Sequence, residues 1–380
     1  MSESLLVRFC TNKYDILLES FARQSQSSRD EEGLEMVEQH KTSTDQRTTL
    51  ADVASRANVS MATVSKVLNG RPGVSPARRD EILAMLDAEG YRRRGTAVRR
   101  RAGLIDIVLR GIDTLWATQI LVGAQEEAAR AGIGLVVTPT HGRTLGNRHW
   151  ISALAQRHSD GLVLVTSRLQ IGVDQELSKL RIPYVFVDPI GVPEQDVPVI
   201  GATNFEGAVE ATEHLLVLGH TRIGIVTGDR GLTCSLERLE GYRHALAKQG
   251  VAIDEDLICF GNFQVEGGYA GAARLLSLPD RPTAIFAGSD QQAYGVYQAV
   301  KAAGLTVPDD VSVVGFDDVP LCQWVSPQLT TVHQPLSEMA KEATRILIEM
   351  AYRGIDPADK KIQLATSLIV RESTAPPKAR

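Results

Sequence analysis

From Leu104 onward the chain alternates between two kinds of segment. Short β-branched runs (LIDIVL, GLVVT, GLVLVTS, YVFVDP, RIGIVTG, AIFAG and VSVVGF) are interleaved with amphipathic stretches such as QILVGAQEEAARAG, AVEATEHLLVLG, LERLEGYRHALAKQG and QQAYGVYQAVKAAG. Strands this apolar are covered on both faces, which demands helices above and below a mostly parallel sheet. The predicted fold class is therefore α/β, and the length of this region asks for two doubly wound parallel sheets. A 43% apolar content supplies the core for them. In such sheets a ligand lies outside the carboxyl ends of the strands.

Residues 48–91 follow a different pattern. Thr49 is a good N-cap, and Leu50, Val53 and Ala54 follow it at helical spacing. A turn runs through Ala57, Asn58 and Val59. Ser60 then caps a second short helix whose inner face is Val64, Val67 and Leu68, and Asn69-Gly70 stops it. Ser75-Pro76 opens a third helix with Ile82, Leu83 and Leu86 facing inward, ending at Gly90. Two helices joined by a tight turn and braced by a third form the geometry that lays a helix in the major groove.

Charge separates this reading from that of an ordinary three-helix domain. Residues 48–101 hold 11 Lys/Arg against 5 Asp/Glu, whereas residues 102–380 hold 24 against 32. A basic module on an acidic body suits a phosphate-binding head, because neutralising phosphates releases counterions. Residues 92–103, RRRGTAVRRRAG, carry six arginines in twelve positions and read as the linker. Its arginines either grip phosphates or a narrowed minor groove, or form a solvated tether.

Residues 1–47 are polar, and 24–47 are predicted disordered. No apolar run approaches the roughly 20 residues needed to span a bilayer, and the N-terminus lacks the pattern of a secretory leader. Cys10, Cys234, Cys259 and Cys322 are scattered without a CxxC pair, so they read as reduced thiols and not as a disulfide or zinc frame. The expected location is the cytoplasm, with the nucleoid.

The stretch TLADVASRANVSMATVSKVLNG resembles the head of the lactose-repressor (LacI/GalR) family of bacterial transcription regulators. The likeness continues through LGHTRIGIV, RLEGYRHAL, PTAIFAGSD, VPDDVSVVGFDD, PQLTTVHQP and LIVREST, in the family's order, over roughly 48–374. The overall pattern resembles actinobacterial members that control carbohydrate use. The resemblance implies a helix-turn-helix head at 48–91, a hinge at 92–103 and a bilobed, periplasmic-binding-protein-like body at 104–380. Lobe 1 is then expected at about 104–199 and 319–333, and lobe 2 at about 200–318 and 334–380. It further implies a homodimer on a near-palindromic operator, a small sugar effector, and no cofactor or metal.

The family's pattern places Met61 and Ala62 at positions that set operator choice, with Lys66 one turn on. Lys66 suits guanine, and the two apolar side chains suit a thymine methyl. Ser60, Thr63, Ser65 and Asn69 are expected on phosphates, and Thr49, with Arg99 and Arg100 in the linker, completes the expected DNA-binding set. Where the family inserts a leucine wedge into the minor groove, this chain has Arg100. For the effector, the same pattern points to Trp116, Arg238, Phe263 and Asp290, with Asp188 and Asp113 as weaker candidates. Asp317 and Asp318 are expected at the hinge, away from ligand. Thr203-Asn204 stands where many relatives carry Asp-Asn, which removes one familiar contact.

Competing functions lack their motifs. GGYAGAA lacks GxGxxG spacing, and GxxxxGK[ST], HExxH and GxSxG are absent. A solute-binding protein would share the body but not the basic head. The effector's class stays open at this point: an arginine at 238 serves phosphate as readily as hydroxyls.

Overall fold

In the computed structural model, the described residues are 50–68, 74–88, 101–141, 148–166, 172–191 and 196–378. They form two compact units, a helical head and a larger body. Thr49, Asn69, Arg99, Arg100 and the 1–47 extension lie outside the described residues.

The head consists of α1 (Leu50–Arg56), α2 (Met61–Leu68) and α3 (Pro76–Ala88). Its core is Val53, Ala54, Ala57, Val64, Val67, Ile82 and Leu86. Asn58 takes φ +50° in the turn, a backbone that asparagine tolerates. Ser60 Oγ accepts from the Thr63 amide at 3.2 Å and so caps α2. Arg78 donates to the Ala57 carbonyl at 2.7 Å, pinning α3 to the turn. One expected core residue is corrected: Leu83 is 43% exposed. Ile82 and Leu86, four apart, point inward together, and the next residue round from Ile82 is turned toward water.

The body contains two six-stranded sheets. The first comprises β1 (Leu104–Leu109), β2 (Gly134–Pro139), β3 (Gly161–Val165), β4 (Tyr184–Val187), β5 (Val199–Ala202) and β11 (Lys361–Leu364), in the order β11-β5-β4-β3-β1-β2. The second comprises β6 (Ile223–Thr227), β7 (Ile258–Phe260), β8 (Ala284–Ala287), β9 (Ser312–Asp317), β10 (Thr330–His333) and β12 (Ser367–Ile369), in the order β12-β10-β9-β8-β6-β7. Pairing is parallel except between β10 and β12. Residues of β3, β4, β6, β8 and β9 are buried along their whole length, as central strands between helix layers must be.

The expected lobe boundaries need correction after residue 317. β10 pairs with β9 in register, Thr330 opposite Val314 and His333 opposite Asp317, so 319–333 belongs to the second lobe. The following helix, α12 (Leu336–Ile348), returns to the first lobe. Its Leu336, Met339, Ala340, Ala343, Ile346 and Leu347 enter the core built on β1, β3, β4 and β5. There it packs on α4 (Leu115–Arg130). The approach is so close that a Cβ on Gly123 of α4 would stand 2.1 Å from the Ser337 carbonyl oxygen. β11 stays with the first sheet, and the chain crosses back for β12. The first lobe is thus about 104–202 and 336–364, and the second about 204–333 and 367–378.

Three passages join the lobes, at 203, at 334–335 and at 365–366. The first and third are laced together: the Thr366 amide donates to Thr203 Oγ1 at 2.9 Å, and Thr366 Oγ1 donates to the Thr203 carbonyl at 3.0 Å. At the end of β9, Asp317 and Asp318 have φ +116° and +58°. Two successive non-glycine residues in that region are strained and persist only where their surroundings hold them.

Candidate functional site

The carboxyl ends of both sheets face a cavity of about 480 Å³. The first lobe supplies Arg110, Asp113, Thr114 and Trp116 after β1, His141 after β2, Thr166 after β3 and Asp188 after β4. In the second lobe, α8 (Thr233–Lys248) and the loop before it supply Leu232, Cys234 and Arg238. The loop after β7 supplies Asn262, Phe263 and Gln264, the loop after β8 supplies Ser289, and the first turn of the helix that follows supplies Gln291. Asp317 closes the floor at the end of β9. Of the effector candidates read from sequence, Trp116, Asp188, Arg238 and Phe263 come together here, and so does Asp113.

Arg238 is the centre of the second wall. It is 3% exposed. Its Nε donates to Asn204 Oδ1 at 3.0 Å, Nη1 to the Gly288 carbonyl at 2.5 Å and Nη2 to Gln334 Oε1 at 3.0 Å. Its guanidinium lies 3.6 Å from the centroid of Phe316 and 5.4 Å from that of Phe263. Nη1 also faces Asp317 Oδ1 at 3.6 Å. That oxygen is buried without a hydrogen-bond partner. Gln334 Nε2 donates to Asp188 Oδ2 at 3.1 Å, so one amide on a passage between lobes links Asp188 to Arg238. Burial pushes the Asp188 carboxyl from its ordinary 3.8 up to about 6, against the opposing pull of Arg238 and Gln334. Burial also raises Asp317 well above the usual carboxylate range, although Arg238 pulls it down. The Cys234 thiol is pushed up to about 12 by burial, which keeps it protonated.

Asp290 is a correction. It is fully buried and does not line the cavity. Its Oδ2 accepts from the Val319 amide at 2.9 Å, and its Oδ1 from the Thr331 hydroxyl at 2.5 Å. It is the first residue of α10 (Asp290–Ala302), and the capping position is held by Ser289, whose Oγ accepts from the Gln292 amide at 3.2 Å. The carboxylate is therefore turned behind the wall, where it ties the loop after β9 to β10. Asp317 is the converse correction: expected only at the hinge, it faces the cavity. Asp318 is not at a passage between lobes either: it lies inside the second lobe, with Arg371 Nη2 donating at 2.6 Å and His333 Nδ1 3.1 Å away. Thr203 is occupied in the lacing of the passages. Sequence reasoning also missed Asn262, Gln264, Gln291 and Gln334; each lies at or just beyond a strand's carboxyl end, the signal that would have found the first three.

On the head, α2 presents Met61, 58% exposed, together with exposed Ser60, Ala62 and Lys66. Val64 and Val67 occupy its buried side. Thr63 and Ser65 are half-buried between the two. The Ser60 and Thr63 hydroxyls are 2.9 Å apart and bonded to each other. The exposed face is short, basic at its end and apolar at its start.

Residues 49–94 match the lacI family of bacterial regulatory proteins, and 212–374 match a periplasmic binding protein-like domain. The regulator CelR of Thermobifida fusca is 33% identical over 337 residues, which is 86% of this chain and 98% of that protein. The chain belongs to the LacI family. It is a helix-turn-helix transcriptional regulator of the kind that also includes DegA of Bacillus subtilis, 33% identical over 336 residues, 87% of this chain and 99% of that one. The structure of a CelR–cellobiose complex superposes with a TM-score of 0.66 at 32% identity, covering 86% of this chain and all of that one. Among the described residues no helix is long and apolar enough to cross a membrane, and no cluster of His, Cys, Asp and Glu is suited to a metal ion.

Proposed function

We propose that the cleft takes a sugar, and that the chain, as a homodimer on a near-palindromic operator, represses carbohydrate-utilisation genes until that sugar binds. The observation that carries this reading is the composition of the cavity. Trp116 and Phe263 offer flat apolar faces to a pyranose ring, while Asp113, Asp188, Asp317, Asn262, Gln264 and Gln291 surround them with acceptors and amides for its hydroxyls. The relative solved with cellobiose makes a glucoside the first class to try. A phosphorylated effector would have to draw chiefly on the exposed Arg110, because Nε and both terminal nitrogens of Arg238 already donate within the protein.

Release follows from linkage: a ligand that favours one arrangement of the lobes weakens whatever binding favours the other. The heads would read DNA through Met61, Ala62 and Lys66, with Thr49, Ser60, Thr63, Ser65, Asn69, Arg99 and Arg100 on phosphates. The reading has no catalytic step, and it places the protein with the chromosome in the bacterial cytoplasm. Thermal melts of the full chain against neutral sugars, including cellobiose and xylose, and against sugar phosphates test it. A sugar at 100 times its Kd adds about 2.7 kcal/mol of stability, a plain upward shift in Tm. A panel in which no carbohydrate moves the Tm, while another metabolite does, would sink the sugar reading.

A further inference from the structure

The chain enters the first lobe through a small polar clamp that neither DNA reading nor effector binding uses directly. The guanidinium of Arg101 lies over the Tyr352 ring, 4.6 Å from its centroid, and Nη1 donates to the Tyr352 carbonyl at 2.8 Å. The Tyr352 hydroxyl donates to Asp160 Oδ2 at 2.6 Å. The same oxygen accepts from the Gly103 amide at 2.9 Å. Asp160 is 4% exposed, and its amide donates to the Leu104 carbonyl at 2.7 Å. Gly103 turns the chain into β1 with φ +70°, a conformation that glycine adopts without penalty. Arg101, Gly103 and Leu104 are thus each fastened to residues far away in sequence.

Tyr352 lies on a π-turn, Glu349–Arg353, that continues α12. π-turns are rare and recur at functional positions. α12 itself begins two residues after Gln334, the amide joining Asp188 to Arg238 on the cleft floor. Its 13 residues span about 20 Å at 1.5 Å each. A single helix, packed along its length into the first lobe, therefore has the cleft floor at one end and the clamp at the other.

An arginine in an arginine-rich linker is ordinarily expected on a phosphate. Arg101 is instead committed to a ring face and a carbonyl of its own body. We propose that Arg101 and Tyr352 are positioning residues for DNA binding: they make the base of the linker part of the first lobe, so that lobe orientation, and not a slack tether, governs how the head meets its operator. The proposal rests on the family's DNA-binding role and is independent of which effector the cleft takes.

The test uses the full chain, a duplex enriched by the wild-type protein from a random pool, and a random-sequence duplex of equal length. Tyr352→Ala is expected to bind the enriched duplex at least tenfold more weakly while binding the random duplex almost normally. The slope of log K against log salt should be unchanged, because no phosphate contact is lost. Arg101→Ala should copy it. Tyr352→Phe keeps the ring and the carbonyl and should lose less. Arg101 is exposed, so the Arg101→Ala variant keeps the test open if Tyr352→Ala fails to fold. Equal weakening on both duplexes, with the salt slope of Arg101→Ala reduced by about one, would make Arg101 a phosphate contact and overturn the proposal. Unchanged binding by both alanine variants would restore the free tether and overturn it equally. Failure of the sugar reading would appear in the thermal melts and leave these measurements untouched.

Discussion

The two walls of the cleft are built from sheets of similar topology but are finished differently. On the second wall Arg238 and Asp317 are 3% and 6% exposed, and Arg238 is locked by Asn204, Gly288 and Gln334 before any ligand arrives. On the first wall Arg110 and Asp113 are exposed, and Trp116 is half-buried against the lobe's core. A wall set in advance does not have to be ordered on binding, which lowers the cost of association. The second wall is therefore a preset template, whereas the first presents exposed Arg110 and Asp113 beside the anchored Asp188.

The sharpest way to break this contrast is Arg238→Ala. It leaves Asp317 buried without its cation and should cost about 3–5 kcal/mol of stability. Urea unfolding would measure it, and a loss below about 1 kcal/mol would mean that the template is not held by this pair. Next comes Asp290→Ala, which strips the Val319 amide and Thr331 hydroxyl of their acceptor. The expected loss is about 1–3 kcal/mol, with effector affinity kept within a few-fold; calorimetric titration showing affinity abolished in a well-folded variant would return Asp290 to the cleft.

A third prediction concerns pH. Because the folded-state Asp188 carboxyl titrates at about 6 against 3.8 ordinarily, the folded protein holds this proton more tightly than the unfolded chain does. Its contribution to stability is therefore present below about 4 and is lost as pH rises through about 6. Hydroxyls that donate to Asp188 favour the ionised form, so affinity should fall as pH drops below about 6. Asp188→Asn should flatten that fall. An affinity profile identical in wild type and variant would remove Asp188 from ligand recognition. The smallest effect is expected on the first wall: Asp113→Ala should shift stability by no more than about 0.5 kcal/mol while weakening effector binding a few-fold. A large Tm loss from this change would show that the first wall is as interlocked as the second.

Much of the molecule was legible because its signals are local. The capped helices of the head follow from Ser60 and from the spacing of Val53, Val64, Val67 and Ile82. The strands follow from uninterrupted β-branched runs. What failed depends on long-range pairing or on a few dihedral angles. The register of β10 against β9 is invisible in PQLTTVHQP, so the second passage between lobes was placed too early. Asp290 and Asp317 both stand at strand ends. Which of them faces ligand depends on Ser289 taking the cap and on the +116° backbone at Asp317, and neither can be deduced from residue types. Leu83 fell on the wrong side because one residue of helix is 100° of rotation.

The three passages between the lobes have a consequence for how such a protein can change. The head is one uninterrupted stretch, so a single crossover in the gene can exchange it whole for another reader. Neither lobe is contiguous. To import a relative's lobe whole, recombination would have to join at 203, 334–335 and 365–366 at once, and a single join at 203 or at 334–335 would set a foreign α12 against the native α4. Whole heads and whole bodies can therefore be re-paired by a single crossover, whereas a new effector within an existing body is reached most simply by substitutions on walls that stay in place.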